Sequence, residues 1–339
     1  MKILECVQKK LVALKIHCRW QWHRVVDPLR RAHAQKLLDG SEPLILRLHS
    51  PGVGLFAHLN WALWSSSWAE RHGRVLKIEC TSPNYAPDGG KGDWLHALLQ
   101  RKAPFPEGRA KILTVQRWEH LPIALEHGTP LSIRDGRDLL RRHFALAAPL
   151  AQQLAAFKQT HFHGDFIVGL HYRGTDKIIE APRIAYGDAV RAARRALETA
   201  AASLHGAPVA LFVASDEAGF VQHVQEELAG FRVVTVEETL RSANGEPLHQ
   251  SGGQGLRKAQ EALLDSLLLG ESDVLIKTAS GLSGWAPILG KEMPIVILSE
   301  AFERCATYPD SEIAQHAFPE GQEAQAVAAA LSLRQEAKA

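Results

Sequence analysis

Several proton-donating and proton-accepting side chains follow the apolar run over residues 166–170: His171, Arg173, Asp176 and Lys177. A short apolar run bounded by turn residues predicts a buried strand. Ligands of open α/β sheets bind just beyond the carboxyl ends of such strands. An arginine and a lysine at this place favour an anion such as a diphosphate, because the guanidinium fork matches phosphate oxygens in pairs. The alternative is an ordinary charged turn with an internal Arg–Asp pair.

Strands and helices alternate regularly around this run. The predicted strands cover residues 166–172, 209–214, 231–236, 273–277 and 294–298. The predicted helices cover residues 186–204, a segment that ends near residue 229, residues 255–270, and a short stretch after the turn over 278–284. Alternation at these lengths favours parallel strands with right-handed crossovers, so we predict an α/β fold with a doubly wound sheet.

The first half of the chain predicts a smaller α/β lobe. A strand over 44–49, a turn with Gly52 and Gly54, and a helix over 55–71 have the order of a mononucleotide-binding unit. Glycines let the backbone approach a ligand closely, and a helix N-terminus favours negative charge. The turn lacks the full GxGxxG spacing, however, and many such turns carry glycines for steric reasons alone. Further predicted elements are strands over 74–79 and 111–115 and a helix over 136–158 with a break at Pro149.

A long loop over residues 81–93 lies within this lobe. Loops of this length in compact domains are uncommon and are often functional. Tyr85 and Trp94 flank its glycines, and their rings are suited to stack on a base or a sugar. The alternative is a surface loop that two aromatic side chains anchor to the body.

Positive charge is concentrated at the start of the chain. The first 36 residues contain nine Lys and Arg residues against two acidic ones, although the whole chain has a net charge of only +2. Ile3, Leu4, Val7, Leu11 and Leu14 fall at helical spacing. This predicts a basic amphipathic helix, which either contacts an anionic membrane face or packs its apolar stripe on the body.

The composition limits the other functional classes. Four scattered cysteines without a CxxC pair indicate neither disulfides nor a zinc site and fit a reducing compartment. No run is long and apolar enough to cross a bilayer, and the N-terminus lacks the apolar core of a signal peptide, so we predict a cytoplasmic protein. An acidic remainder without a nucleic-acid motif argues against nucleic-acid binding. The predicted divisions are a basic segment over 1–40, a first lobe over 41–160, a nucleotide-binding lobe over 161–315, and a C-terminal helix over 316–339.

Several motifs together resemble those of the GDP-fucose-dependent fucosyltransferases, and most closely the α-1,6 and rhizobial nodulation branch. Residues 171–177, His-Tyr-Arg-Gly-Thr-Asp-Lys, resemble the family's H-x-R-R-T-D-K. Residues 214–217 are similar to its A-T-D-D, residues 263–273 to its L-D-x-x-x-L-S-x-A-D block, and residues 278–280 to its T-F-S. The matches keep their order and cover residues 165–290 well, but they cover the first lobe only loosely.

The resemblance implies a two-lobed, GT-B-like glycosyltransferase that inverts the anomeric centre and needs no metal. It implies that Arg173 binds the β-phosphate, that His171 and Asp265 contact the guanine, and that Tyr85 contacts the ribose. Asp216 would join the nucleotide site, while Asp176 and Lys177 would position the phosphates or the donor sugar. Glu180 is the nearest carboxylate to the family's general base, one position early. Asp176 is the alternative base, and a reaction assisted by the acceptor without a dedicated base is a further alternative.

Physical reasoning supports parts of this assignment. Without a divalent ion, protein cations and backbone dipoles must stabilise the departing diphosphate, and the N–H groups of Ser280 and Gly281 are suitable donors beside Arg173. The sequence contains no DxD triplet to hold a metal. Asp265 lies in an apolar helical run, where burial is costly unless a partner hydrogen-bonds its carboxylate. The N1–H and the amine of a guanine would satisfy both oxygens, whereas an exposed or capping carboxylate is the alternative.

The sequence also departs from the family pattern. Gly174 replaces the second arginine of the first motif, Glu217 replaces an aspartate, and Gly281 replaces a serine.

From the matching motifs we expect transfer of fucose from GDP-fucose to a saccharide, on a polysaccharide or a lipid-linked glycan. Use of another GDP-sugar, or a nucleotide- or carbohydrate-binding protein without turnover, remains an alternative.

Overall fold

The structure is a computed structural model that describes residues 28–87, 92–125, 131–174, 183–237, 239–242, 254–298 and 308–337. Most of the basic amphipathic segment and three predicted site residues, Asp176, Lys177 and Glu180, lie outside these ranges. Within them, no helix combines the length and the apolar character needed to cross a membrane.

Helices and strands alternate along the chain, as the sequence predicts. The strands are β1 (Leu44–Leu48), β2 (Leu76–Cys80), β3 (Leu99–Arg101), β4 (Lys111–Val115), β5 (Phe144–Leu146), β6 (Phe166–Tyr172), β7 (Val209–Ser215), β8 (Arg232–Val234), β9 (Val274–Lys277), β10 (Ile295–Ile297) and β11 (Phe318–Pro319). The helices are α1 (28–38), α2 (Leu55–Arg71), α3 (Pro122–Leu125), α4 (Ile133–His143), α5 (Ala148–His161), α6 (Tyr186–Ser203), α7 (Ala218–Glu227), α8 (Gly255–Gly270), α9 (Gly281–Gly284), α10 (Ala286–Leu289), α11 (Asp310–His316) and α12 (Glu323–Glu336).

The first lobe is built on three parallel strands in the order β2-β1-β4. Leu44 of the central strand aligns with Leu76 on one side and Lys111 on the other. Alternate residues of β1 are fully buried, and α2 buries twelve of its seventeen residues. The predicted strand–turn–helix unit is present here as β1, the turn with Gly52 and Gly54, and α2. Its helix is the crossover that connects the parallel strands β1 and β2.

The second lobe is built on six parallel strands in the order β11-β10-β9-β6-β7-β8. The chain runs outward from β6 to β8 and then returns through α8 to β9, on the other side of β6. The predicted α/β fold with a doubly wound sheet is therefore confirmed. The order reverses between β6 and β9, and the carboxyl ends of these two strands form the topological switch point where ligands of such sheets bind.

Each face of the six-stranded sheet has its own core. Phe166, Val168, Leu170 and Tyr172 pack in a cluster with α6 and α7, whereas Ile167 packs with α8 in a second cluster. The second cluster continues without interruption into the first lobe. Since strand side chains alternate between faces, His171 and Arg173 share the α8 face with Ile167.

One predicted helix is divided differently in the structure. The segment over 136–158 was predicted to break at Pro149, but it breaks at β5, which pairs antiparallel with β3. Pro149 lies in the first turn of α5 instead. A proline is tolerated there because its missing N–H would have no helical partner. The local sequence around β5 gives no signal that this segment pairs with β3, a strand more than forty residues earlier.

Candidate functional site

The candidate site lies at the switch point, where the ends of β6 and β9 are joined by hydrogen bonds. The N–H of Thr278 donates to the carbonyl of His171 (3.2 Å), and the N–H of Arg173 donates to the hydroxyl oxygen of Thr278 (3.0 Å). The His171 ring is 3% exposed, and its Nδ1 lies 2.9 Å from Ser283 Oγ. The two strand ends therefore form one unit that fixes the orientation of the His171 ring.

Arg173 lies at the point where this unit meets the first lobe. Burial raises the pKa of Tyr85, and the positive charge of Arg173 opposes that rise. The electrostatic effect requires the two side chains to be near each other, although 88 residues separate them in the sequence. The structure thus brings together two residues that the sequence predicted for one site.

Tyr85 is buried within the protein and does not project into solvent. Its ring is 5% exposed and packs edge-on against Trp94, which is fully buried. The Tyr85 hydroxyl accepts a hydrogen bond from the N–H of Leu55, the first residue of α2, at 2.9 Å. Tyr85 and Trp94 therefore anchor the loop over 81–93, as in the second interpretation of that loop. The contact of Tyr85 with a ribose stays a prediction.

Asp265 is a buried carboxylate in the middle of α8. Its side chain lies among leucines and is 7% exposed. Among the described residues, no N–H or O–H donates a hydrogen bond to its carboxylate. Burial raises the pKa of Asp265 to about 7, although the positive charge of Arg241 acts in the opposite direction. The ionised form is therefore costly until a donor reaches it.

Helix α8 connects Asp265 to the rest of the candidate site. The hydroxyl of Ser266, the next residue, donates to the carbonyl of Leu282 (2.7 Å), and Leu282 precedes the serine that holds His171. At its start, α8 abuts the loop of Tyr85. A Cβ on Gly255 would lie 2.5 Å from the carbonyl oxygen of Asn84, so only glycine permits this close approach. Both ends of the site are thereby fixed to one helix.

A buried ion pair adjacent to the turn over 278–284 holds this turn in place. Lys277 is fully buried, and its Nζ lies 2.8 Å from Asp310 Oδ1. The other oxygen of Asp310 accepts the N–H of Ser280 at 3.1 Å, and the Ser280 hydroxyl accepts the N–H of Leu282. The N–H of Ser280 is therefore engaged within the protein and is not presented to an anion.

The Lys277–Asp310 pair was missed in the sequence. The sequence signal that could have revealed it is a lysine at the end of an apolar strand, because lysine is almost never fully buried without a partner.

Gly281 lies at the contact between the two lobes. A Cβ at this position would approach the Cβ of Phe56, a residue of α2, to 3.1 Å. Its role as an N–H donor to a diphosphate stays a prediction.

The two departures at Gly174 and Glu217 lie next to each other. A Cβ on Gly174 would lie 2.2 Å from Glu217 Oε1, so the glutamate fills the space that a side chain at position 174 would need. Arg183 donates to both oxygens of Glu217 (3.3 and 3.2 Å), and the Tyr186 hydroxyl donates to Oε2. The cation adjacent to this acidic side chain is therefore Arg183, three residues before the start of α6. The neighbouring Asp216 is half-buried, and its carbonyl accepts the N–H of Ser242 at 2.8 Å.

A cavity of about 440 Å³ lies elsewhere, in the first lobe. It is bounded by the edge of β2, the C-terminal end of α2 and the antiparallel pair of β3 and β5. None of the predicted site residues lines it.

The comparisons with known proteins give matches in structure only. No protein-family model matches the chain, and no curated protein matches its sequence. The chain is similar to the fucosyltransferase NodZ from Bradyrhizobium, with 20% identity and a TM-score of 0.46 over 74% of this chain and 94% of that one. NodZ α-1,6-fucosyltransferase co-crystallised with GDP gives 19% identity and a TM-score of 0.47 over 77% and 96% of the two chains.

A further match is a GDP complex of Arabidopsis thaliana FUT1. It shares 15% identity and a TM-score of 0.42 over 79% of this chain and 73% of that chain. The NodZ matches bear the name of the family that the motifs around Arg173 resemble. At these identities and TM-scores the likeness does not decide the function, which is therefore argued from the residues of the chain itself.

Proposed function

We propose that the protein is a glycosyltransferase that moves fucose from GDP-fucose to a saccharide. The observation that carries this proposal is Asp265, a buried carboxylate to which no described residue donates a hydrogen bond, on a helix that Ser266 fixes to the switch point of His171 and Arg173. A buried acceptor of this kind is costly in the absence of a ligand, and perturbed carboxylates cluster at functional sites.

Guanine has the N–H donors that the carboxylate of Asp265 needs as hydrogen-bond partners. Its N1–H and its exocyclic amine are adjacent donors, and one carboxylate accepts both. Adenine would place a ring nitrogen, an acceptor, against the same carboxylate. The His171 ring, held through Nδ1 by Ser283, supplies a second polar contact for the base. The nucleotide is therefore proposed to be a guanosine diphosphate.

Arg173 is proposed to bind the diphosphate. Its backbone is fixed to the end of β9, and its side chain is half-buried near Tyr85. In a route without metal, the charge that develops on the leaving diphosphate is stabilised by protein cations. Lys177, outside the described residues, is proposed as a second cation.

The reaction is proposed to be a direct displacement that inverts the anomeric centre. The acceptor hydroxyl forms a bond to the anomeric carbon while the bond to the diphosphate oxygen breaks, and that oxygen takes the electron pair. A carboxylate accepts the hydroxyl proton. Glu180 is the first candidate for this base and Asp176 the second, and both lie outside the described residues.

For the acceptor and the cellular location of the reaction, we propose a class of saccharide and a membrane surface. A saccharide of a polysaccharide or a lipid-linked glycan fits a basic segment over residues 1–36 that contacts an anionic membrane from the cytoplasm. The contact of Gly174 with Glu217 favours a second candidate, because it leaves the strand end with one cation fewer than the family motif. This second candidate is a protein that binds a GDP-sugar without turnover.

Calorimetric titration with GDP, followed by assays of GDP-fucose hydrolysis and transfer to a panel of oligosaccharides, tests the proposal. We expect GDP to bind and fucose to be transferred. Binding without turnover on any acceptor would support the second candidate, and release of another sugar from its GDP ester would reassign the donor. Absence of GDP binding would contradict both candidates.

A further inference from the structure

A short segment that the motifs did not single out lies across the end of β7. The N–H of Ser242 donates to the carbonyl of Asp216 (2.8 Å), and the N–H of Ala218 donates to the carbonyl of Ser242 (3.3 Å). The N–H of Leu240 donates to Glu261 Oε2 on α8 at 2.9 Å. Glu261 precedes Asp265 by four residues, one helical turn. The segment over 239–242 is therefore fastened to α8 one turn from the buried carboxylate.

Arg241 lies within this segment, and its guanidinium is held by the protein on one side. One terminal nitrogen donates to the Thr235 hydroxyl oxygen (2.7 Å) and to the carbonyl of Val236 (2.6 Å), and the other donates to the carbonyl of Glu237 (3.4 Å). The Nε–H is also buried, but it has no hydrogen-bond partner among the described residues. A buried donor without a partner destabilises the protein until an acceptor reaches it.

Two groups of opposite type thus lie in one region, beside the buried hydroxyl of Thr239. Among the described residues, the carboxylate of Asp265 has no donor and the Nε–H of Arg241 has no acceptor. Arg241 is also the positive charge that acts on Asp265, while Glu261 is the negative charge that acts on it. The donor and the acceptor do not satisfy each other, so a third group that carries both functions would satisfy both.

We propose that Arg241 determines base specificity by donating its Nε–H to O6 of a guanine whose N1–H and amine donate to Asp265. The inference rests on the proposed guanosine diphosphate site and extends it to a residue of that site. Guanine presents one acceptor beside two donors on a single edge, the complement of this pair. Adenine presents an amine where O6 stands, so it would face Arg241 with a donor and Asp265 with an acceptor.

Two purely structural roles of Arg241 predict different results. If Arg241 only lowers the cost of the Asp265 charge, lysine would serve as well, since it keeps the positive charge. If Arg241 only holds the segment over 235–242, its loss would weaken the binding of every nucleotide equally and lower the thermal stability. The variant Arg241→Lys separates these roles, because it keeps the charge but lacks the Nε–H.

The test measures the binding of GDP, 6-thio-GDP and ADP by calorimetry to the full chain and to Arg241→Lys. In 6-thio-GDP a sulfur, a weaker acceptor, replaces O6, while the N1–H and the amine remain. We expect the unmodified protein to bind GDP about tenfold more tightly than 6-thio-GDP. Arg241→Lys should bind GDP about tenfold more weakly and should no longer distinguish the two. ADP should bind weakly to both proteins.

Other outcomes identify which claim fails. If the unmodified protein binds GDP and 6-thio-GDP equally, or if the variant keeps the preference for GDP, the role of Arg241 is wrong and the proposed function stands. If the variant does not fold, the comparison of the two nucleotides on the unmodified protein decides alone. If the unmodified protein does not bind GDP, the proposed function and this inference fail together.

Discussion

At the carboxyl edge of the first sheet, a side chain of the protein itself binds the N-terminus of the helix where an anion would bind, whereas the second lobe holds a buried carboxylate and a guanidinium N–H that no described residue satisfies. The first N–H of α2 is capped by the Tyr85 hydroxyl. Nearby, burial lowers the pKa of His58 to about 4, so its ring is neutral at pH 7. At the second edge, Asp265 and the Nε–H of Arg241 have no hydrogen-bond partner among the described residues.

This difference shows that a strand–turn–helix unit does not by itself make a ligand site. Both lobes contain the unit, and the first has the glycine turn that usually draws attention. The turn at Gly52 and Gly54 leaves open space around both residues, so no close approach of a neighbour requires glycine there. Buried polar atoms without a partner among the described residues occur in both lobes, Nε2 of His58 and Oγ of Ser82 in the first. The second lobe differs in that its groups are an ionisable carboxylate and a guanidinium, whose burial costs more until a ligand binds.

The largest effect is expected from the buried pair that supports the second edge. Replacement of Lys277 by alanine leaves Asp310 buried without its cation, and we expect the free energy of unfolding to fall by about 3–5 kcal/mol. Urea denaturation measures this loss. Lys291→Ala is the matched control: Lys291 is half-exposed beside Asp273, and its removal should cost less than about 1 kcal/mol. Equal losses in the two variants would show that the Lys277 pair does not fix this edge.

Arg173→Ala is expected to remove transfer activity while the fold persists. We expect kcat/KM to fall by about 10²–10³-fold, the usual cost of losing one group that stabilises developing charge. GDP binding should also weaken, and the thermal midpoint should stay unchanged. Arg194→Ala, on the α6 face and away from the switch point, serves as the control. Wild-type kinetics in Arg173→Ala would contradict the assignment of the diphosphate.

The protonation of Asp265 should make both stability and binding depend on pH. Its pKa is about 7 in the folded protein, above its ordinary value of 3.8. Between these values the folded state holds one more proton than the unfolded state, so this group makes the free energy of unfolding fall as pH rises from about 4 to 7. Guanine needs the ionised carboxylate, so the affinity for GDP-fucose should rise across roughly pH 6 to 8.

Asp265→Asn tests this assignment directly. The variant should lose about 10–100-fold in affinity at pH 8, because an amide offers guanine one acceptor and one repelling donor. It should also lose the pH dependence of binding. GDP-fucose is the better probe, since its diphosphate has no proton to lose in this range. An unchanged pH profile in the variant would show that another group titrates.

The smallest effect is expected at the first edge. Tyr85→Phe removes the hydroxyl that caps α2, and we expect a loss of about 1 kcal/mol in the free energy of unfolding. If Tyr85 acts only as this cap, the affinity for GDP should stay within about threefold of the wild type. A larger loss of affinity without a loss of stability would support the contact with the ribose and would weaken the contrast between the two edges.

The local sequence predicted much of the fold and the centre of the site. The apolar run at 166–170, followed by His171 and Arg173, predicted a buried strand with polar residues at its end, because strand periodicity and turn residues are local signals. Asp265 was recognisable as well, since a carboxylate within an apolar helical run is costly wherever the helix is buried. The elements from α6 to β10 followed from the same alternation, whereas β11 lies within residues 316–339, where a C-terminal helix was predicted.

The remaining features depended on contacts between distant residues. The hydroxyl of Tyr85 reaches Leu55, and Asp310 takes both Lys277 and the N–H of Ser280. These contacts give Tyr85 and the N–H of Ser280 structural partners, and no periodicity in the sequence encodes them.

The sequence by itself determined most strands and helices of the second lobe and which strand ends carry charge, because these depend on the order of neighbouring side chains. Only the tertiary structure decided which of those charges are satisfied within the protein. It fastened the segment of Arg241 to Glu261, one helical turn from Asp265 on α8, and left the Asp265 carboxylate and the Nε–H of Arg241 without a hydrogen-bond partner among the described residues. The physical reason is that hydrogen-bond satisfaction depends on distances across the fold, which pairing and packing fix after the local elements have formed.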